Sequence, residues 1–406
     1  MKLKKRLITV TIITILLTTT SSISSMHLEP YNASNILVKS SSSILDPFEE
    51  NLTGLMKEAH TPGLSAIIII NDSVVWKGGY GYANIHKKIN ATPDTIYLGA
   101  SISKTITATA IMQLWEKELF DLDDDVSDYL PFELRNPKYP EKKITFRMLL
   151  SHHSSIAYGD WKSQPLTYIL FSLFGNAKDR YEELLIPSGT FYNPRIWIDS
   201  EPGEELLYSN IGYFLLEYLV ELLSDQSFDA YVKENIFDPL EMNDTSYQLS
   251  NYNKDQLSRP YLWAFNTYIP IPHYEFGNHG VAGVRSSVND LSNYLIAHMN
   301  GGVYKENRIL NNKTIDLIRT IQFPDENNDN LWYQYGLGWR IIKRNESYVF
   351  WHPGNGAGVA TYINYDPINR VGLIFCINQY PIIVPYDIMT WIDLLFLLHD
   401  KAYSYI

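Results

Sequence analysis

Apolar, β-branched runs stand near both ends of this chain, and helical spacing fills the stretch between them. Strands need partners for their backbone groups, so this order points to one sheet built from the chain's two ends, with a helical region inserted. At the N-terminal end, Leu64 to Ile70 is a continuous run, Asn71-Asp72-Ser73 supplies turn residues and Val74-Val75-Trp76 resumes extended character, which reads as a hairpin. Late strands are expected over Tyr335 to Ile342, Ser347 to Trp351, Val359 to Tyr365 and Val371 to Ile377, with a closing amphipathic helix over Ile388 to His399. Between them, Ile106, Ala110, Met112, Leu114 and Trp115 predict a buried helix over Ile102 to Leu119. Ile144 to Leu150 and Ile211 to Leu223 are further helical candidates. The expected class is α+β: an antiparallel sheet flanked by helices, with a mostly helical subdomain over about residues 104–276.

Two aromatic-rich, irregular stretches interrupt the middle, Tyr158 to Ser200 and Tyr247 to Phe276. Segments this long are either lids and binding walls or the packing of the helical region's own core. At the start, Lys2, Lys4, Lys5 and Arg6 precede the uncharged stretch Leu7 to Leu17 and the small residues Thr18 to Ser25. That apolar part is 11 residues long, short of the ~20 that a spanning helix requires. Residues 1–25 therefore read as a signal peptide, with an N-terminal anchor as the alternative, and 26–46 as a polar linker before a domain over 47–402. Seven Asn-x-Ser/Thr sequons suit a secreted or extracytoplasmic chain. Membrane proximity is expected through this N-terminal segment only.

The formal net charge of −12 gives no basic footprint, which argues against nucleic acid as a partner. The single cysteine, Cys376, excludes an intramolecular disulfide and a cysteine-rich zinc site. Asp121 to Asp125 resembles the start of a calcium loop, but Val126 stands where a glycine is needed and Phe132 where a bidentate Glu should be. A solvated acidic turn is expected there instead. Gly79-Tyr80-Gly81-Tyr82-Ala83-Asn84 lacks the third glycine of a dinucleotide fingerprint.

Ser101-Ile102-Ser103-Lys104 opens the expected buried helix. Residues three apart share a helix face, so the Lys104 amine can approach the Ser101 hydroxyl. Serine is a weak nucleophile until a neighbour takes its proton, and lysine can do so only when burial or a positive field lowers its pKa. Alone the pattern is weak, since roughly one Ser-x-x-Lys arises by chance in a chain this long; its plain alternative is a serine near a helix start and a surface lysine.

The segment Tyr97-Leu98-Gly99-Ala100-Ser101-Ile102-Ser103-Lys104-Thr105 resembles the nucleophile motif of the serine β-lactamase-like superfamily, which includes class C β-lactamases, D-alanyl-D-alanine carboxypeptidases and related esterases. Tyr208-Ser209-Asn210 is similar to the family's Tyr-x-Asn motif and His352-Pro353-Gly354 to its third motif, in the expected order. The flanks agree at Pro62-Gly63, Leu149-Leu150-Ser151-His152, Phe237-Asp238-Pro239-Leu240 and Tyr335-Gly336-Leu337-Gly338-Trp339. The resemblance covers about residues 47–400 and implies a β-lactamase/transpeptidase-like fold with no metal or organic cofactor. It implies Ser101 as the acylated nucleophile, with Lys104 and Tyr208 sharing general-base work and Tyr208 protonating the leaving group. Asn210 would bind a substrate carbonyl and help hold Lys104. His352 would supply polarity or charge on the strand edge, beside Gly354, and the amides of Ser101 and Asn355 would form the oxyanion hole.

Departures bear on the substrate. Pro353 stands where many relatives carry a hydroxyl directed at a substrate carboxylate, and proline offers no donor. Arg340 is the candidate replacement, since arginine suits bidentate carboxylate capture; the alternative is an edge-strand arginine in solvent. Ser155 replaces the usual glycine after Ser151-His152-His153-Ser154, so that turn is expected to differ. His152 is expected to be a structural helix-end histidine and Cys376 an inert core residue. The reading is a β-lactamase-related serine hydrolase acting through an acyl-enzyme on amide, lactam or ester bonds of a small-molecule or peptide acyl donor, carboxypeptidase-like or esterase-like. Its rivals are a receptor or pseudoenzyme of the same fold that does not turn over, and a sugar- or partner-binding module built on the aromatic stretches.

Overall fold

The computed structural model describes residues 46–157, 181–324, 333–344, 347–379 and 385–406. Helix α1 (Pro47–Glu58) precedes the hairpin β1 (Gly63–Ile70) and β2 (Ser73–Asn84) and the short strands β3 (Ile89–Asn90) and β4 (Tyr97–Leu98). A 3-10 turn, Ala100–Ile102, leads into α2 (Ser103–Glu116), followed by α3 (Phe146–Leu150), α4 (Tyr181–Leu185), α5 (Asn210–Ser224) and α6 (Phe228–Val232). The hairpin β5 (Tyr261–Ala264) and β6 (Thr267–Pro270) comes next, then α7 (His279–Ala282), β7 (Arg285–Ser286) and α8 (Val288–Met299). Strands β8 (Val303–Tyr304) and β9 (Asn307–Arg308) and helix α9 (Asn312–Ile318) lead to the C-terminal strands β10 (Gln334–Tyr335), β11 (Arg340–Arg344), β12 (Ser347–Gly356), β13 (Val359–Asp366) and β14 (Val371–Ile377). Helix α10 (Pro385–Tyr403) closes the fold.

The main sheet has eight strands in the order β10-β11-β12-β13-β14-β1-β2-β3, and the pairings are antiparallel. The two chain ends meet where β1 pairs with β14, Leu64 opposite Ile377 and Ile70 opposite Val371. This seam explains why β1 reads as an unbroken apolar run. Its side chains alternate across the pleat, and both faces of the sheet are covered. Ile67 and Ile69 enter the larger core, with Met112 of α2, Leu216 of α5 and Leu295 of α8. Ala66, Ile68 and Ile70 enter a second core, with Leu52 and Met56 of α1 and Leu394 and Leu398 of α10. Each of these Ile, Leu and Met side chains contributes about 1.5–3 kcal/mol on burial.

The α+β class is therefore as expected, with differences of extent. Tyr335 to Ile342 is two short strands rather than one. Gly338 adopts φ +82 between them, and a Cβ there would overlap the Ala108 side chain of α2. The turn thus packs directly on the helix that follows Ser101. Strand β12 runs five residues past Trp351, to Gly356, because β13 continues to pair with it. The helix within Ile144 to Leu150 starts at Phe146, with the Thr145 hydroxyl accepting from the Met148 amide at 3.3 Å.

Residues 1–45, which hold the expected leader and most of the linker, lie outside the described residues, as do 158–180 of the first aromatic stretch. In the rest of that stretch Tyr181 and Trp197 are buried in the larger core. In the second, Tyr261 and Tyr268 join Ile85 in a small core of their own, while Phe265 is exposed. Among the described residues no helix is long and apolar enough to cross a membrane. The acidic turn is tied down by arginines, Asp125 to Arg135 and Asp123 to Arg147. Ser155 keeps the left-handed backbone that a glycine would favour, φ +57, and its hydroxyl accepts from the Asn136 amide group at 3.1 Å.

Candidate active site

Ser101 sits in the 3-10 turn just before α2, after Ala100, whose φ is +47. A left-handed L-residue costs about 1–2 kcal/mol, so its surroundings must hold it. They do so from three sides. Ser103 Oγ donates to the Ala100 carbonyl at 2.8 Å and accepts from the Val284 amide at 3.0 Å. The Gly99 amide donates to the Val284 carbonyl at 2.7 Å, and Thr361 Oγ1 of β13 donates to the Gly99 carbonyl at 2.8 Å. Strand β12 lies against the same turn at Gly354. A Cβ there would overlap the Gly99 carbonyl oxygen and Thr361 Oγ1 and stand 3.2 Å from the Ser101 nitrogen, so only glycine allows this approach.

Lys104, in the first turn of α2, is fully buried. Its Nζ is 3.2 Å from Ser101 Oγ and donates to the Val281 carbonyl of α7 at 2.9 Å. It also lies 5.1 Å from the centre of the Tyr208 ring and 5.8 Å from that of Tyr213. Burial first, and then the Arg340 guanidinium, hold its pKa well below the ordinary lysine value. A neutral amine keeps a lone pair, so the contact with Ser101 Oγ can carry the hydroxyl proton to nitrogen.

Tyr208 is half-buried two residues before α5. The Ser209 hydroxyl caps that helix by accepting from the Gly212 amide at 3.1 Å, and the Ser209 amide donates to His152 Nδ1 at 3.0 Å. His152, just past the end of α3, also packs its ring 4.4 Å from that of Tyr208. The helix-end histidine therefore anchors the segment that delivers the phenol. Lys104 thus lies between the hydroxyl of Ser101, three residues before it, and the ring of Tyr208, distant in sequence. Asn210 opens α5, half-buried. It was expected to help hold Lys104, but among the described residues the hydrogen bonds of Nζ go to Ser101 and Val281.

His352 lies within β12, fully buried, 6.3 Å from the Tyr208 ring. Its Nδ1 donates to the Pro353 carbonyl at 2.8 Å, and Nε2 has no partner among the described residues. Burial, then Arg340 and Lys104, hold its pKa well below the ordinary value. Of the polarity or charge expected at this position, it supplies polarity alone. Asn355, at the exposed end of β12, is close in sequence to the Gly354 contact.

Arg340 does not point into solvent. Its guanidinium lies over four rings, 4.5 Å from Tyr333, 5.0 Å from Trp351, 5.4 Å from Tyr208 and 5.9 Å from Tyr335. Nε donates to the Tyr335 hydroxyl at 3.0 Å. Burial opposes its charge, but Tyr335 and Tyr333 outweigh that and hold it firmly ionised. Cation–π contact of this kind is worth ~0.5–2 kcal/mol and leaves the planar edge of the fork available to an anion.

The Val281 carbonyl and the Thr361 hydroxyl are parts of the site that the sequence reading missed. The first is main chain and has no signature in letters. The second belongs to an ordinary core residue until the fold brings it to the turn before α2.

A sequence profile of the family described as "Beta-lactamase" matches residues 48–396. Among curated proteins, "Protein flp" of Staphylococcus aureus (strain N315) is 26% identical over 327 residues, covering 80% of this chain and 61% of that protein. The chain thus spans under two thirds of that relative's length. A protein of Escherichia coli (strain K12) named "Putative D-alanyl-D-alanine carboxypeptidase" is 24% identical over 360 residues, covering 78% of each. Among solved structures, the octameric penicillin-binding protein homologue from Pyrococcus abyssi superposes with a TM-score of 0.70 at 26% identity, covering 86% of this chain and 76% of that one. With the profile match running through nearly the whole described fold, the chain belongs to the beta-lactamase family, whose members are serine hydrolases.

Proposed function

We propose that the protein is a hydrolase that is acylated at Ser101 by peptides ending in a carboxylate and released from the acyl-enzyme by water, in the manner of a D-alanyl-D-alanine carboxypeptidase. Ser101 Oγ attacks the scissile carbonyl carbon while Lys104 Nζ takes the hydroxyl proton. Tyr208 passes a proton to the departing amine, and the amides of Ser101 and Asn355 carry the oxyanion. Water then adds to the ester, and collapse returns the Ser101 hydroxyl and frees the acid. Removal of one oxyanion donor typically costs roughly 10²–10³ in turnover.

The observation that carries the hydrolase reading is the fully buried Lys104 amine, its pKa depressed, 3.2 Å from the Ser101 hydroxyl. The substrate class rests on Arg340, ionised in its box of rings beside Tyr208. The E. coli relative's name points the same way. Residues 1–25 support export, which would put the enzyme outside the cytoplasm with such peptides.

Two measurements test this. A fluorophosphonate probe labels Ser101 at neutral pH, and substrate turnover continues at that pH, as a lysine depressed well below its ordinary pKa requires. A D-Ala-D-Ala peptide is then hydrolysed faster than its C-terminal amide, and Arg340→Ala abolishes the preference. Equal rates on both peptides, or faster turnover of short p-nitrophenyl esters than of either, would refute the carboxylate assignment.

A further inference from the structure

The Lys104 amine is held on one side by the carbonyl of Val281, and Val281 belongs to α7, a helix of only four residues. So short an element has no intrinsic stability. Its position is set by what grips it. Thr107 Oγ1 of α2 donates to the Gly280 carbonyl at 2.7 Å, and a Cβ at Gly280 would press on Thr107 and on the Phe228 ring, so the helix lies flush against its neighbours. From the other side, the Glu217 carboxylate of α5 accepts from the His279 amide at 3.1 Å and from the Gly280 amide at 2.9 Å, one oxygen to each.

Glu217 is a buried acid among the mostly apolar side chains that α5 buries, the kind of group a core does not keep without a task. It lies seven residues after Asn210, two helical turns along the same face of α5. Helix α5 therefore presents Tyr208 and Asn210 at its head and, about 10 Å further on, fixes the peptide that orients Lys104. We infer that Glu217 is a positioning residue for the general base, acting by clamping α7 so that the Val281 carbonyl holds the Lys104 amine in line with Ser101. This inference rests on the hydrolase reading above and adds a residue that the family's three motifs do not contain.

The groups facing this clamp are His279 from α7, Glu221 from α5 itself, Tyr181 from α4 and Tyr247. His279 is in turn bound through Nδ1 to Asp229 of α6 at 2.6 Å and faces Glu275. Burial pushes the Glu217 carboxyl up to about 8, against the pull of His279 and the two amides. An ionised carboxylate accepts from both amides more strongly than a carboxyl with a proton on one oxygen, so the clamp tightens as pH rises through that value.

The test combines a variant with a measurement on the unaltered enzyme. At pH 9, where the wild-type carboxyl is ionised, Glu217→Gln leaves one acceptor oxygen and should lower kcat for p-nitrophenyl acetate, and the rate of fluorophosphonate labelling, by roughly 10- to 100-fold with KM unchanged. Ile68→Ala, in the second core across the sheet, is the control: it lowers Tm and leaves both rates intact. In the wild-type protein, hydrogen exchange at the 279–283 amides, corrected for intrinsic rates, should be more protected at pH 9 than at pH 7. Rates in Glu217→Gln that fall only as far as its Tm loss explains, or protection that is flat across this range, would overturn the inference. The exchange experiment reads the clamp even if the variant fails to fold. It is also independent of turnover: unlabelled wild-type Ser101 with pH-dependent protection sinks the hydrolase reading, whereas labelled Ser101 with flat protection sinks only the clamp.

Discussion

Keeping Lys104 inside the protein costs stability that only chemistry accounts for. It is fully buried, its hydrogen bonds among the described residues go to a hydroxyl and a carbonyl rather than to a carboxylate, and burial holds its pKa well below the ordinary lysine value. Lys104→Met, similar in volume and without a polar group to desolvate, should raise Tm while lowering Ser101 acylation by roughly 10²–10⁴. Thermal melts and labelling on the same preparation would check both, and normal acylation in that variant would remove Lys104 from the base role. At this scale the sequence was legible wherever spacing alone brings atoms together. Ser101 and Lys104 are three residues apart and needed only a helix. Tyr208 was reachable only through the likeness of its motif, because no local rule joins it to a residue a hundred positions earlier. The Val281 carbonyl was invisible, since any side chain can carry it.

Among the elements, β12 and the turn before α2 are fitted to each other. The strand's end was hard to foresee: Pro353, Gly354 and Gly356 are poor strand formers, yet β13 pairs with them as far as Gly356. Tertiary pairing overrode local preference at the very residues that approach Ser101. Gly354→Ala should destabilise the protein by about 1–3 kcal/mol, because its methyl group meets the Gly99 carbonyl oxygen and Thr361 Oγ1 rather than a flexible side chain. Denaturant unfolding would measure the cost. The labelling rate should fall as well, whereas a variant with wild-type stability and rate would show that this approach is slack. Conversely, the break between β10 and β11 was written in Gly336 and Gly338, which the alternating apolar pattern of Tyr335 to Ile342 concealed.

For the molecule as a whole, buried histidines decide the response to acid. Burial pushes His298 down to about 3 and His153 to about 4, and His152 and His352 are also held well below the ordinary value. In the unfolded chain these groups take up protons near pH 6.5, so the unfolded state binds more protons over the interval below that value. Stability therefore falls as pH drops from about 6.5 toward 4, each histidine contributing up to about 1.4 kcal/mol per pH unit. Tm measured from pH 7 to pH 4 should decline steeply, and His298→Gln should flatten the slope; a level Tm over this range would contradict the assignment. The overall architecture was readable because it depends on the order of strand-like and helix-like segments, which survives errors of several residues at each boundary.

The pairing of β1 with β14 has a consequence for how the chain comes to be folded. More than three hundred residues separate the two strands in sequence, and β13 and β12, with His352 and Gly354, hang from the later one. The platform beneath Ser101 stays open until the last strands have emerged from synthesis. Closure of so long a loop makes the domain slow to form. The surroundings of Ser101 would therefore be completed late.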